Sequence, residues 1–157
     1  MKRKVIVATG NEGKMKEIRQ ILGGENIIFS SLKDENLQDI EIVEDGDSFE
    51  ANAVIKAKRI SELTGKMVLA DDSGLEVDYL DKAPGIYSAR YLGEDTPYSV
   101  KNKHIIDELS GVEDEKRTAR FVCVMACVFP DGETITTEGV IEGRIGYEEK
   151  GNNGFGY

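Results

Sequence analysis

Four groups of residues carry side-chain types suited to chemistry on phosphates. The first is Thr9-Gly10-Asn11-Glu12-Gly13-Lys14. A glycine turn that opens a helix presents backbone N–H groups and the positive end of the helix dipole, and together these hold an anion. Gly10 lets a ligand approach the backbone, Thr9 and Asn11 can donate hydrogen bonds, and Lys14 supplies charge. The stretch is not a P-loop, because only two residues separate Gly10 from Gly13 and Met15 follows Lys14. Strand–glycine turn–helix segments also serve purely structural ends, so both readings stand at this point.

The second stretch is Ala70-Asp71-Asp72-Ser73-Gly74. Two carboxylates directly after an apolar strand lie where α/β folds bind ligands. Magnesium commonly takes one or two carboxylates plus substrate phosphates, and a further carboxylate can accept a proton from water. Asp-Ser-Gly is equally ordinary turn chemistry. The third group is Glu44 with Asn52 and Lys56; the last two are four apart and share a helix face, either towards a site or towards solvent. Pro84-Gly85-Ile86-Tyr87-Ser88-Ala89-Arg90 adds a turn ending in an arginine able to bind phosphate, or else a surface loop.

Periodicity supplies the elements that must position these residues. Residues 4–9 read as a buried strand and 13–22 as a helix, with Met15, Ile18, Ile21 and Leu22 on one stripe. Residues 27–30 form a short strand, and the acidic run 34–50, which has no Lys or Arg, reads as a solvated loop. A second helix spans 48–64, with Phe49, Ala53, Ala57, Ile60 and Leu63 on one face and Gly65 suited to its C-terminal cap. The strand 66–70 should stop at Asp71-Asp72-Ser73-Gly74. Thr96-Pro97 opens a third helix as N-cap and first residue, and Gly111 ends it. Residues 117–129 and 134–145 are strands joined by the turn Pro130-Asp131-Gly132-Glu133. The fold class is α/β, a mixed sheet with an antiparallel hairpin in its second half.

Composition narrows the chemistry further. The chain has 157 residues, 39% of them hydrophobic and 32% charged, which suits a single soluble domain with a real core. Twenty basic against thirty acidic residues give a net charge of −10, which disfavours nucleic-acid polymers and anionic membranes as partners. The N-terminus lacks the apolar stretch of a signal peptide, so a cytoplasmic protein is expected. Cys123 and Cys127 are the only thiols and are too far apart on one strand to bridge. His104 is the only histidine, which excludes a multi-histidine zinc site and leaves a hard, carboxylate-bound ion as the natural metal. His104 itself reads as structural.

Taken together, the motifs resemble the inosine triphosphate pyrophosphatase family. The matching segments are ATGNEGKMKEI at 8–18, EDGDSFEANAVIKA at 44–57, ADDSGLEVDYLDKAPGIYSARYLG at 70–93, RTARFVC at 117–123 and GNNGFGY at 151–157. The resemblance implies an elongated mixed sheet flanked by helices, with two lobes around a central cleft, and a homodimer. It implies Mg²⁺-dependent hydrolysis of ITP, dITP or XTP to the nucleoside monophosphate and pyrophosphate. By that pattern Thr9, Gly10, Asn11 and Lys14 hold the triphosphate, Glu44 and Asp72 coordinate the metal, and Asp72 also accepts the proton of the attacking water. Ser73 contacts substrate, Asp71, Lys56 and Arg90 support metal or phosphates, and Phe155, Gly156 and Tyr157 begin the loop against the nucleoside. Two alternatives differ in class: a Maf-like pyrophosphatase for pyrimidine or modified nucleotides, and a nucleotide-binding protein without turnover.

Two departures from the family pattern are visible. Ala51 stands before Asn52 where the family commonly has Glu, with Glu50 one position earlier. The family's base-reading residues follow Gly-Phe-Gly-Tyr, so a domain lacking its C-terminal part is expected.

Overall fold

In the computed structural model, which describes residues 1–157, five strands form one sheet in the order β2-β1-β3-β4-β5. They are β1 (Arg3–Val7), β2 (Ile27–Ser31), β3 (Val68–Val77), β4 (Thr118–Val128) and β5 (Thr134–Arg144). β1 pairs in parallel with β2 and with β3, in the register Val5 to Phe29 and Ile6 to Val68. A tight turn, closed by Phe129 N–H donating to Glu133 O at 2.9 Å, joins β4 to β5 and makes that pair antiparallel. The helices are α1 (Glu12–Leu22), α2 (Phe49–Thr64) and α3 (Tyr98–Glu108). The mixed α/β class expected from the pattern is the one observed.

The chain divides into two compact units: Met1–Asp72 with Val124–Glu138, and Ser73–Cys123 with Gly139–Tyr157. In the first, Ile6, Met15, Ala53, Ala57, Ile60 and Val68 are almost wholly buried. Each large side chain of that set contributes about 1.5–3 kcal/mol on burial. α2 is fixed at both ends. Ser48 Oγ accepts from Ala51 N–H at 3.0 Å, and Gly65 adopts the left-handed conformation (φ 64°) that closes the helix. In the second unit Val77, Ile105, Leu109 and Ala119 form the core, with Leu75, Tyr91, Ile145 and Tyr157 packed against it.

Several local expectations are corrected. β3 does not stop at Ala70; it runs through Asp71, Asp72, Ser73 and Gly74 to Val77. Turn propensity at Asp-Ser-Gly is overridden by tertiary context, including Ser88 Oγ, which accepts from Leu75 N–H at 3.0 Å. α3 begins at Tyr98 with no side-chain cap, because the Thr96 hydroxyl donates backwards to Leu92 O. On α1 only Met15 is buried, while Ile21 and Leu22 are exposed, and Leu63 lies outside the buried face of α2. The acidic run is not uniformly solvated either. Glu35 accepts from Ser30 Oγ at 2.6 Å and pairs with Lys4 and Lys66.

Candidate active site

The β1–α1 turn is organised by its own polar side chains. Thr9 Oγ1 accepts from Asn11 N–H at 3.1 Å, and Asn11 Oδ1 accepts from Lys14 N–H at 3.0 Å as the N-cap of α1. The N–H groups of the first helical turn have no intrahelical acceptor and form the positive end of the helix. Gly10 is exposed, and no protein atom lies within 4 Å of where its Cβ would be. The Lys14 ammonium sits 2.7 Å from Asp71 Oδ2. Asp71 is 5% exposed, so this is a largely desolvated pair that joins the helix N-terminus to β3.

Extending β3 through both carboxylates decides where they point. Successive strand residues face opposite sides. Asp71 meets Lys14 of α1, whereas Asp72 lies among Lys56 and Asn52 of α2 and Glu44 of the preceding loop. Asp72 Oδ2 is buried and has no hydrogen-bond partner. Burial pushes the Asp72 pKa up to about 6; Lys56 opposes the rise, Glu44 adds to it, the Asn52 amide opposes it, and Asp71 adds again. An unmatched buried carboxylate oxygen is costly, and in a native protein it calls for an explanation such as catalysis or an ion.

The partners of Asp72 are themselves fixed. Lys56 Nζ lies 2.9 Å from Glu44 Oε1, with the lysine side chain 16% exposed and the glutamate 35%. Asn52 is 1% exposed, and its Oδ1 accepts from Gly46 N–H at 2.8 Å. Glu50, two residues before Asn52, accepts from Thr136 Oγ1 of β5 at 2.9 Å and so ties the helix start to that strand. The orphaned Asp72 oxygen beside Glu44 fits a hard divalent cation in donor chemistry. No group of three or more His, Cys, Asp or Glu side chains is clustered to hold a metal.

Ser73, Arg90 and the terminal loop belong to the second unit. Arg90 is exposed at the end of the short 3-10 turn Gly85–Arg90, its guanidinium 5.3 Å from the Tyr87 ring centre. Tyr157 OH donates to Ser88 O at 2.8 Å, and its ring meets Tyr98 edge-on at 5.1 Å. Phe155, Gly156 and Tyr157 line a cavity of about 620 Å³ together with Tyr98, Asn102 and Ile145. His104 is bound to Tyr91 OH at 2.9 Å, a structural contact.

The sequence left open whether Asn52 faces a site or solvent, and the structure turns it inward. Two further buried polar groups carry no sequence-based expectation. One is Lys101, 1% exposed, donating to Ala89 O at 2.7 Å with the Tyr98 ring 4.9 Å away. The other is Arg117, which donates to Leu109 O, Ile145 O and Gly146 O and stacks 4.2 Å over Tyr147. A signal existed for Lys101: it falls in the helical series Lys101, Ile105, Leu109, all buried.

Fold and site define a mixed α/β protein in which Asp71 ties β3 to the start of α1 through Lys14, and Asp72 carries a buried, unmatched carboxylate oxygen among Glu44, Asn52 and Lys56. The chain belongs to the Ham1 family, whose profile matches residues 5–157. A dITP/XTP pyrophosphatase of Bacillus licheniformis is 51% identical, over 99% of this chain and 79% of its own length. One of Bacillus subtilis is 44% identical, over 99% of this chain and 78% of its own. Among solved structures, a HAM1 protein from Coxiella burnetii superposes with a TM-score of 0.86 at 35% identity, covering 99% of this chain and 79% of that one. The Staphylococcus aureus Ham1 protein gives 0.85 at 35% identity, with coverage of 99% and 78%. No helix of this chain is long and apolar enough to cross a membrane.

Proposed function

We propose that this chain hydrolyses the α–β phosphoanhydride of nonstandard purine nucleoside triphosphates (ITP, dITP and XTP), releasing the nucleoside monophosphate and pyrophosphate. The observation that carries this reading is the buried, unmatched Asp72 oxygen, beside Lys56 and Glu44, in a chain of this family. The activity for which these relatives are named supports the substrate class.

The chemistry divides among residues already in place. Thr9, Gly10, Asn11 and Lys14 bind phosphate oxygens at the start of α1, where the helix dipole favours negative charge. Asp71 holds the Lys14 ammonium in position. Asp72 takes the proton of the attacking water as its oxygen bonds to the α-phosphorus; the bond from that phosphorus to the bridging oxygen breaks, and pyrophosphate leaves with the electron pair. A carboxyl with a pKa near 6 suits that transfer at neutral pH. Mg²⁺, held by Glu44 and Asp72, would neutralise phosphate oxygens and the charge growing on the leaving group, while Asp71, turned to Lys14, supports the site through that lysine. Lys56 and Arg90 add positive charge for a polyanion meeting a protein of net charge −10. Ser73 contacts substrate, and Phe155, Gly156 and Tyr157 lie against the nucleoside.

The same reading makes the protein a cytoplasmic homodimer, acting where nucleotide pools lie. Light scattering coupled to size exclusion tests the dimer. The activity is tested by pyrophosphate release from a panel of triphosphates with Mg²⁺. Fastest turnover of ITP, dITP or XTP is expected. Turnover confined to dTTP or UTP would favour the Maf-like alternative, and binding without pyrophosphate would favour a noncatalytic protein.

A further inference from the structure

We propose that Asn52 is a positioning residue whose carboxamide locks the turn carrying Glu44 at a fixed distance from Asp72. The inference rests on the reading of Glu44 and Asp72 as the site of metal binding and proton transfer.

Three observations converge on this side chain. Asn52 is 1% exposed, although it projects from the first turn of a helix, where Asn has little intrinsic preference. Its Oδ1 accepts from Gly46 N–H at 2.8 Å, which pins the loop two residues after Glu44. Its amide meanwhile meets the Asp72 carboxylate. A donor–acceptor group of this kind cannot be replaced by a hydroxyl or an acid without losing one of its two ends.

The turn is pressed against the helix closely enough to exclude any side chain at Gly46. A Cβ there would lie 2.7 Å from Asn52 Oδ1 and 2.7 Å from Ala51 Cβ. Glu44 is thus held twice. Lys56 pairs with its carboxylate at 2.9 Å, and Asn52 fixes its backbone through Gly46. The lysine sets charge and the asparagine sets distance. Outer partners of ligating groups commonly change metal affinity or activity by about 10–100-fold when removed.

Amide hydrogen exchange of Gly46, measured without metal or nucleotide, tests the contact directly, and the Mg²⁺ concentration for half-maximal turnover tests its consequence. Asn52→Ala should lower Gly46 protection at least about tenfold and raise the half-maximal Mg²⁺ concentration about tenfold. Asn52→Asp, which keeps an acceptor, should retain Gly46 protection while kcat falls, because a second negative charge faces Asp72. Gly46→Ala should reproduce the Mg²⁺ effect of Asn52→Ala, and the double variant should be no worse than either single one. Unchanged Gly46 exchange in Asn52→Ala would overturn the proposal, as would an unchanged Mg²⁺ requirement or additive effects in the double variant. If the exchange pattern appears as expected but no substrate is turned over, it is the assigned activity that fails.

Discussion

Substituting Asp72 by asparagine removes a charge that the fold accommodates at a cost, and that cost can be sized. Burial is the largest influence on this carboxyl and lifts its pKa from 3.8 to about 6, against the opposing pull of Lys56. Below about pH 4 the group is protonated in both folded and unfolded chains, so it carries no penalty. Between about pH 4 and 6 the folded chain keeps a proton that the unfolded chain has released, and stability falls as pH rises. Above that window both states are ionised and the whole penalty stands, about two pK units or roughly 3 kcal/mol. That shift already includes the attraction of Lys56, and the partial solvent access of the carboxyl trims the expected gain to about 1–2 kcal/mol. Urea unfolding of both proteins from pH 4 to 8, with chelator present, measures the difference. Asp72→Asn should be equal to the parent near pH 4, pull ahead through pH 6 and stay ahead to pH 8, while losing pyrophosphatase activity. A stability difference that does not change with pH would refute the reasoning, as would a variant less stable than the parent at pH 8.

Further outcomes follow from neighbouring contacts. Glu35 is held well below its ordinary pKa, at about 2, chiefly by Lys4 and then Ser30; its stabilisation should be present above pH 4.5 and lost as pH falls towards 2. Glu35→Gln should therefore cost about 1–2 kcal/mol at pH 7 by urea titration, and much less at pH 2.5. Lys14→Met should raise KM for the triphosphate, and a double-mutant cycle with Asp71→Asn should return a coupling of about 1–3 kcal/mol in stability; zero coupling would mean the 2.7 Å pair is energetically idle. Ser48→Ala should cost about 1 kcal/mol of thermal stability through loss of the α2 cap, with Ser48→Gly milder. Lys101→Met should stay within about 1 kcal/mol of the parent, because an apolar chain of similar volume replaces a buried charge, whereas Lys101→Ala should cost about 2 kcal/mol or more.

Much of this molecule is legible in its order of residues. The α2 helix shows its apolar face and its Gly65 stop in the sequence because both are local, whereas Ser48, read as its first residue, is its N-cap. The hairpin of β4 and β5 is announced by Pro130-Asp131-Gly132-Glu133, and the turn into α1 by Thr9 to Lys14, for the same reason. Failures arose wherever a partner distant in sequence decided the outcome. Asp71-Asp72-Ser73-Gly74 has the chemistry of a turn, yet strand pairing and Ser88 draw it into β3. Glu35 looks like any other acid of the run 34–50 until Lys4, Ser30 and Lys66 surround it.

The sequence by itself determined which functional groups are present: a glycine turn with a lysine, two adjacent aspartates, a helix bearing Asn52 and Lys56, and a net charge of −10. Only the tertiary structure decided what each aspartate does. Because β3 continues through both, its two-residue alternation sends Asp71 to the Lys14 ammonium and leaves Asp72 with one buried oxygen unmatched. Side-chain identity sets the available charge, but desolvation and neighbours set its pKa, and those depend on which distant segments the fold brings together.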